Sequence, residues 1–354
     1  MTSKERVLLA AKRQKIDRPP TSLRCTPEMW AKLYDHFDVQ TPAQVMDKLD
    51  TDMRQIYLPF TGPQELSTPT LGGEGKDFWG NTMAGISNEF NTYFEIVGHS
   101  LGECKTASDI RNFDWPSLDW WDYKAIPKKI KEHQQTGERA VMFLVGGCFE
   151  TPWYMRGMEQ FFMDLLTEPE IVYEICTHVR EYYYERGLRV INEAHGEIDM
   201  IGSGGDLGGE ETLMVRPELW REHIKPHTKK LIANFKEMGF TTWYHSDGSI
   251  VPVINDFIEM GLDYLDPIQT GAAGMDPENM SEKFADRLSF HGAIDEVGLL
   301  PHATPDEVYE ETQRVISILG VNHGYCVSPT HMVQGDTSVE NVLAIYKAAQ
   351  DYKY

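Results

Sequence analysis

The run Thr241-Thr242-Trp243-Tyr244 is β-branched and aromatic, then stops at His245-Ser246-Asp247-Gly248. A strand has a period of two, so His245 and Asp247 leave it on one face, and Gly248 lets the backbone turn sharply beneath them. Two such side chains make either a pair of metal ligands or an acid and its base. A hydrogen-bonded core histidine followed by a helix cap fits the same residues equally well. Their neighbours must decide.

Similar residues recur just after other apolar, strand-like runs. Ala140–Val145 leads into Gly146-Gly147-Cys148-Phe149-Glu150, Ile198–Ile201 into Gly202-Ser203-Gly204-Gly205-Asp206, and Leu262–Leu265 into Asp266-Pro267. Asp295 follows Phe290–Ile294, and Ser328-Pro329-Thr330-His331 follows Gly324–Val327. Taken singly, Glu150 and Asp206 read as helix caps and Asp266 as part of a turn. Gathered at one rim, they supply proton or metal chemistry, with glycines letting backbone and ligand approach. There is no nucleophile elbow and no His-Glu-x-x-His, which argues against a serine hydrolase or a zincin.

The elements that must position these residues alternate regularly after residue 138. Six apolar strands (Ala140–Val145, Ile198–Ile201, Phe240–Tyr244, Leu262–Leu265, Leu288–Phe290, Gly324–Val327) are separated by amphipathic helices. Thr167-Glu168-Pro169-Glu170, Thr304-Pro305-Asp306-Glu307 and Thr337-Ser338-Val339-Glu340 read as capping boxes that open helices. Such alternation implies a parallel sheet. With strands near residue 22 and Ile56 the count reaches eight, so a (β/α)₈ TIM barrel is expected, with an open doubly wound sheet as the other choice.

Ahead of the barrel lie helices over residues 2–16, Pro27–Phe37 and from Thr41, the first opened by the box Thr2-Ser3-Lys4-Glu5. Residues 50–123 read instead as a hairpin-rich insertion at the barrel mouth. In it Leu71–Asp77 is expected to turn, and Phe78–Thr82 and Asn91–Val97 to be strands. Gly72-Gly73 does not open a helix, so no phosphate loop is expected. The whole of 1–354 is read as a single domain.

Composition narrows the partners. With 33 basic and 55 acidic residues the net charge is −22, which disfavours nucleic acid and anionic membranes. Residues 1–24 run the other way, with seven basic side chains against Glu5 and Asp17, as on a solvated helix face. No apolar run approaches the roughly 20 residues that span a bilayer, and the start lacks a secretory pattern, so a cytoplasmic protein is expected. Five cysteines without a Cys-x-x-Cys pair suggest reduced thiols, with Cys176 in a core helix and Cys326 turned into the barrel wall.

Several segments together resemble the uroporphyrinogen decarboxylase superfamily. They are Gly146-Gly147-Cys148-Phe149-Glu150-Thr151-Pro152-Trp153-Tyr154-Met155, Gly205-Asp206-Leu207-Gly208, Tyr244-His245-Ser246-Asp247-Gly248, Gly292-Ala293-Ile294-Asp295, and Thr330-His331-Met332-Val333 leading to Val339-Glu340-Asn341-Val342. The resemblance implies a (β/α)₈ fold and two branches of chemistry. In the decarboxylase branch, Tyr154 and His331 match a tyrosine and a late histidine, and Asp52 loosely matches the aspartate. Of that branch's arginine pair only Arg24 is in place, which weakens the match.

In the branch of zinc methyltransferases working with corrinoid proteins, zinc is held by a His-x-Cys pair and a late Cys. Here His245 matches the histidine, while Asp247 and His331 stand where the cysteines would be. The resemblance to this branch therefore implies zinc on His245, Asp247 and His331, with Glu150 or Asp206 as fourth ligand or proton carrier. It further implies a small methylated substrate walled by Arg24, Trp79 and Trp153 and oriented by Tyr154. A separate cobalamin protein is the expected partner, and the resemblance also raises the expectation of a homodimer. Metal-free decarboxylation through Asp52, Tyr154 and His331 is the alternative.

Overall fold

Seven parallel strands curl into a barrel wall in the computed structural model, which describes residues 1–69, 73–90 and 92–354. In chain order the strands are β1 (Met53–Ile56), β2 (Glu74–Lys76), β3 (Thr82–Ser87), β4 (Thr92–Gly98), β5 (Ala140–Gly146), β6 (Met200–Gly204), β7 (Thr241–His245), β8 (Tyr264–Ile268), β9 (Ser289–Ile294) and β10 (Tyr325–Pro329). The parallel sheet runs β1-β5-β6-β7-β8-β9-β10, and β2-β3-β4 form a separate antiparallel sheet. Buried apolar residues on both faces of the parallel strands, with a helix returning the chain after most of them, give the expected (β/α)₈ architecture.

The eighth strand is reduced to a stitch. Thr21 makes an isolated parallel bridge to Val327, the Val327 amide donates to the Pro20 carbonyl, and the Asp52 and Met53 amides both donate to the Thr21 carbonyl. Pro19 and Pro20 bring no amide donors, so a longer ladder cannot form there. Above Thr21 the segment follows the β10 side alone, through a second bridge from Cys25 to Val333.

Helix α1 (Ser3–Ala11), with its Thr2–Glu5 capping box, plugs the amino-terminal end of the barrel. Val7, Ala10 and Ala11 pack there with Met53, Met142, Met200, Trp243, Tyr264 and Cys326. The basic surplus of the first 24 residues is structural. Arg6 (2.5 Å) and Arg18 (2.8 Å) both bind Asp52, which is fully buried, and they also pair with Asp17 and Asp50. Helices α2 (Pro27–Phe37) and α3 (Pro42–Lys48) follow, α3 capped by Thr41 as expected.

Several expected boundaries move. β6, β8, β9 and β10 begin one or two residues later than their apolar runs and end two to four residues later, so Asp266-Pro267 and Ser328-Pro329 lie inside strands rather than after them. Phe78–Thr82 is largely a turn, held by the Asp77 carboxylate accepting the Trp79 and Asn81 amides, and β3 starts only at Thr82. Of the expected turn Leu71–Asp77, Leu71 and Gly72 lie outside the described residues and Glu74–Lys76 is β2. Asn91 is also outside them, and the strand expected from it runs as β4. Thr304–Glu307 caps as expected, but Thr167 ends a helix and Ser338 replaces Thr337 as cap.

Candidate metal centre

His245 is the last residue of β7, and the glycine-dependent turn expected after it is present. Gly248 has φ +80°, and a Cβ there would lie 2.4 Å from the Gly208 backbone. Three bonds fix this turn. The Asp247 amide donates to Asp206 Oδ1 (3.0 Å), the Gly248 amide to Gln269 Oε1 (2.7 Å), and Ser246 Oγ accepts from the Leu207 amide (2.9 Å).

His245, Asp247 and His331 meet with one ligand atom each, all within 4.8 Å of one another. Asp247 Oδ2 is 3.8 Å from His245 Nε2 and 3.9 Å from His331 Nε2, and Asp206 Oδ1 is 3.6 Å from His245 Nε2. Ligands at about 2.0–2.1 Å on a tetrahedral zinc stand about 3.4 Å apart, so the two pairs that Asp247 makes with the histidines would each contract by about half an ångström around an ion. The donor set of two imidazoles and carboxylates fits zinc.

The support behind the ligands fits as well. His245 Nδ1 is bonded to Asp266 Oδ2 (2.5 Å), which leaves Nε2 facing Asp247 and Asp206. A carboxylate behind an imidazole is the usual backing of a metal-bound histidine. Asp266 is fully buried and is held besides by His291 Nδ1 and by Arg24 Nη2 (3.0 and 3.2 Å). His291 Nε2 continues the chain to Ser22 Oγ (2.6 Å).

The charges press toward a cation. Burial, then the Arg24 and His245 charges, lower the His331 pKa to about 4, leaving a neutral imidazole. Burial, aided by Asp206 and opposed by His245, raises Asp247 to about 6. Burial and the Asp206 charge raise Glu150 to about 7, and burial raises Glu296 to about 7. For Asp266, burial alone would raise the pKa, but Arg24, His291 and His245 hold it well below the carboxylate range. Burial likewise opposes charge on His245, and Asp266 outweighs it and raises that pKa.

Other candidates divide into those near the cluster and those apart from it. Tyr154 Oη donates to Glu150 Oε1 (2.5 Å), the two sharing the helix Glu150–Arg156 at the end of β5. Trp153 packs against the core beside Tyr154. Trp79 does not line the cluster. It is 5% exposed and packed among Trp115, Tyr182 and Tyr183, because the insertion turns its aromatic rings onto the long helix Pro169–Glu193. Asp52 is at the opposite end of the barrel, neutralised by Arg6 and Arg18, so it cannot act with Tyr154 and His331.

Cys326 Sγ lies 3.6 Å from Met53 Sδ in the barrel floor and offers no ligand to the cluster. His291 and Glu296 were not singled out from the sequence, and Asp266, legible there as a turn or as one of the rim acids, was not assigned as the partner of His245. A histidine in an otherwise apolar strand was the available signal for His291.

Fold and site define a (β/α)₈ barrel enzyme with its polar residues at the carboxyl ends of the strands. Residues 123–352 match the family described as uroporphyrinogen decarboxylase (URO-D), and the chain belongs to that family. Among curated relatives it is 21% identical to the methylcobamide:CoM methyltransferase MtbA of Methanosarcina acetivorans, over all of this chain and 99% of that protein. Among solved structures it resembles a methyltransferase from Methanosarcina mazei, with a TM-score of 0.74, 14% identity and 99% of each chain covered. No helix among the described residues is long and apolar enough to cross a membrane.

Proposed function

We propose that this enzyme is a cytoplasmic, zinc-dependent methyltransferase that moves a methyl group between a small methylated substrate and the cobalamin of a separate corrinoid protein. The observation that carries the proposal is the convergence of His245, Asp247 and His331, with Asp266 fixing His245 from behind. Whole-length likeness to a methylcobamide:CoM methyltransferase supports the same chemistry. Bound zinc would supply Lewis acidity, and with imidazole and carboxylate rather than thiolate ligands it suits polarising an ether oxygen.

This chain's own residues supply the rest. Glu150, held by Tyr154, is placed to carry a proton near neutral pH, and Asp206 Oδ1, 3.6 Å from His245 Nε2, is a further carboxylate at the cluster. The corrinoid protein would dock over the carboxyl ends of the strands, where both partners of the transfer can reach the cluster. The alternative, metal-free decarboxylation, loses its aspartate to the Arg6–Asp52–Arg18 cluster.

The test is elemental analysis of protein purified without chelator, paired with absorbance of a reduced corrinoid protein mixed with methyl donors. About one zinc per chain, lost in His245→Ala and His331→Ala, together with methylcobalamin formation, is expected. Correctly folded protein without metal would remove the proposal.

A further inference from the structure

The stitch at Thr21 leaves the barrel wall parted above it. Among the described residues, the backbone bonds between segment 20–26 and β1 stop at the Thr21 carbonyl, while the segment stays bonded to the β10 side as far as Thr26. Between the two edges lies a cavity of about 550 Å³. Leu23, Arg24 and Cys25 form one edge, Gln55 and Tyr57 the other, and Trp30 and Met46 line it from α2 and α3. Its size suits a small molecule. Met332, next in the chain to His331, also lines it, so the seam adjoins the metal cluster.

The lining is mostly apolar, with a cation at the end nearest the cluster. Arg24 uses Nη2 on Asp266, but its Nε is buried with no hydrogen-bond partner. A buried donor of that kind is destabilising unless something accepts from it. Tyr57, which lines the cavity with Arg24, is 65% exposed and gives the other edge an aromatic face. Asp47 and Glu132 also line the cavity but already pair with Arg54 and Lys128.

Resting on the methyl-transfer function above, we propose that this seam is the substrate's side pocket. It takes an elongated, mostly apolar molecule bearing one anionic group, the anion on Arg24 and the apolar body between the parted edges. Substrate would enter from the side, leaving the strand ends to the corrinoid protein.

Calorimetric titration of the full chain with butyrate, hexanoate and octanoate tests this, using both zinc-loaded and chelator-treated protein. Affinity should rise about three- to fourfold per methylene. Arg24→Met should weaken octanoate at least tenfold. Because Arg24 also braces Asp266, Ala43→Phe, which fills the cavity from α3, is the independent variant. It should weaken octanoate at least tenfold and butyrate much less. No binding, affinities independent of chain length, or octanoate binding unchanged in Ala43→Phe would each overturn the proposal. Binding is read without turnover, so a failed pocket is distinguishable from a failed methyl transfer, which the zinc content and corrinoid absorbance report separately.

Discussion

Asp266 is the residue on which the cluster turns, because its two oxygens are shared among His245, His291 and Arg24 with no solvent access. Removing its charge while keeping its shape should free the His245 ring and leave Arg24 buried beside a neutral group. Asp266→Asn is expected to weaken zinc binding about 10–100-fold, the usual cost of losing an imidazole's carboxylate backing, measured by competition with a chromogenic chelator. Asp52 makes the contrasting case. Its carboxylate is as buried, but it answers to Arg6 and Arg18 at the far end of the barrel. Asp52→Asn should cost about 3–5 kcal/mol of stability in urea unfolding and leave zinc content at the wild-type level. His245 and Asp247 were legible because the strand period and the glycine turn put them on one face, and His331 because it follows the last apolar run. Asp266 was legible as one of the rim acids but not as the buried support of His245, because an aspartate before proline reads locally as a turn, and only its buried cationic neighbours make a strand position tolerable.

At the scale of elements, the site depends on how closely β5 and β6 approach beside β7. A Cβ on Gly147 would lie 1.3 Å from the Gly204 carbonyl oxygen, a backbone atom that cannot swing aside. Gly204 is itself held against His245, where a Cβ would come within 2.9 Å. Gly147→Ala must therefore push the ends of β5 and β6 apart and carry His245 away from Asp247. The expected result is a loss of about 3 kcal/mol or more, as for overpacking against unyielding backbone, together with loss of stoichiometric zinc, read by thermal unfolding and elemental analysis. The alternation of strands and helices was legible because apolar runs and caps mark each one. Strand ends were not, since Asp266-Pro267 and Ser328-Pro329 look like breaks yet lie in the wall. The eighth strand was legible as a location near residue 22, but its reduction to one stitch follows from amide bonds that two prolines cannot make.

For the whole molecule, acid should be the destabilising direction, and two histidines remote from the metal cluster set part of the window. His227 is 2% exposed and its Nδ1 lies 3.1 Å from Arg180 Nη1, which donates to it, so the folded protein holds the ring neutral. Burial and then the Arg180 charge lower its pKa from 6.5 to about 4, and burial with the Arg54 charge does the same for His133. The folded pKa lies below the unfolded one, so the unfolded chain binds more protons between the two values. Stability from these groups is therefore full above about pH 6.5 and is lost as pH falls toward about 4, with a slope near 1.4 kcal/mol per pH unit for a group as buried as His227. Urea midpoints measured from pH 7.5 to 4.5 should fall accordingly, and His227→Gln, which keeps an acceptor for Arg180, should flatten the curve. An equal slope in that variant would assign the acid sensitivity to other groups. Zinc adds a second lever at neutral pH, since an ion that binds only the folded chain at 100 times its Kd contributes about 2.7 kcal/mol. For a chain of 354 residues that corresponds to a rise in Tm of about 4 °C. The rise should vanish with chelator and in His331→Ala, whereas Ala43→Phe, which touches only the seam, should retain it.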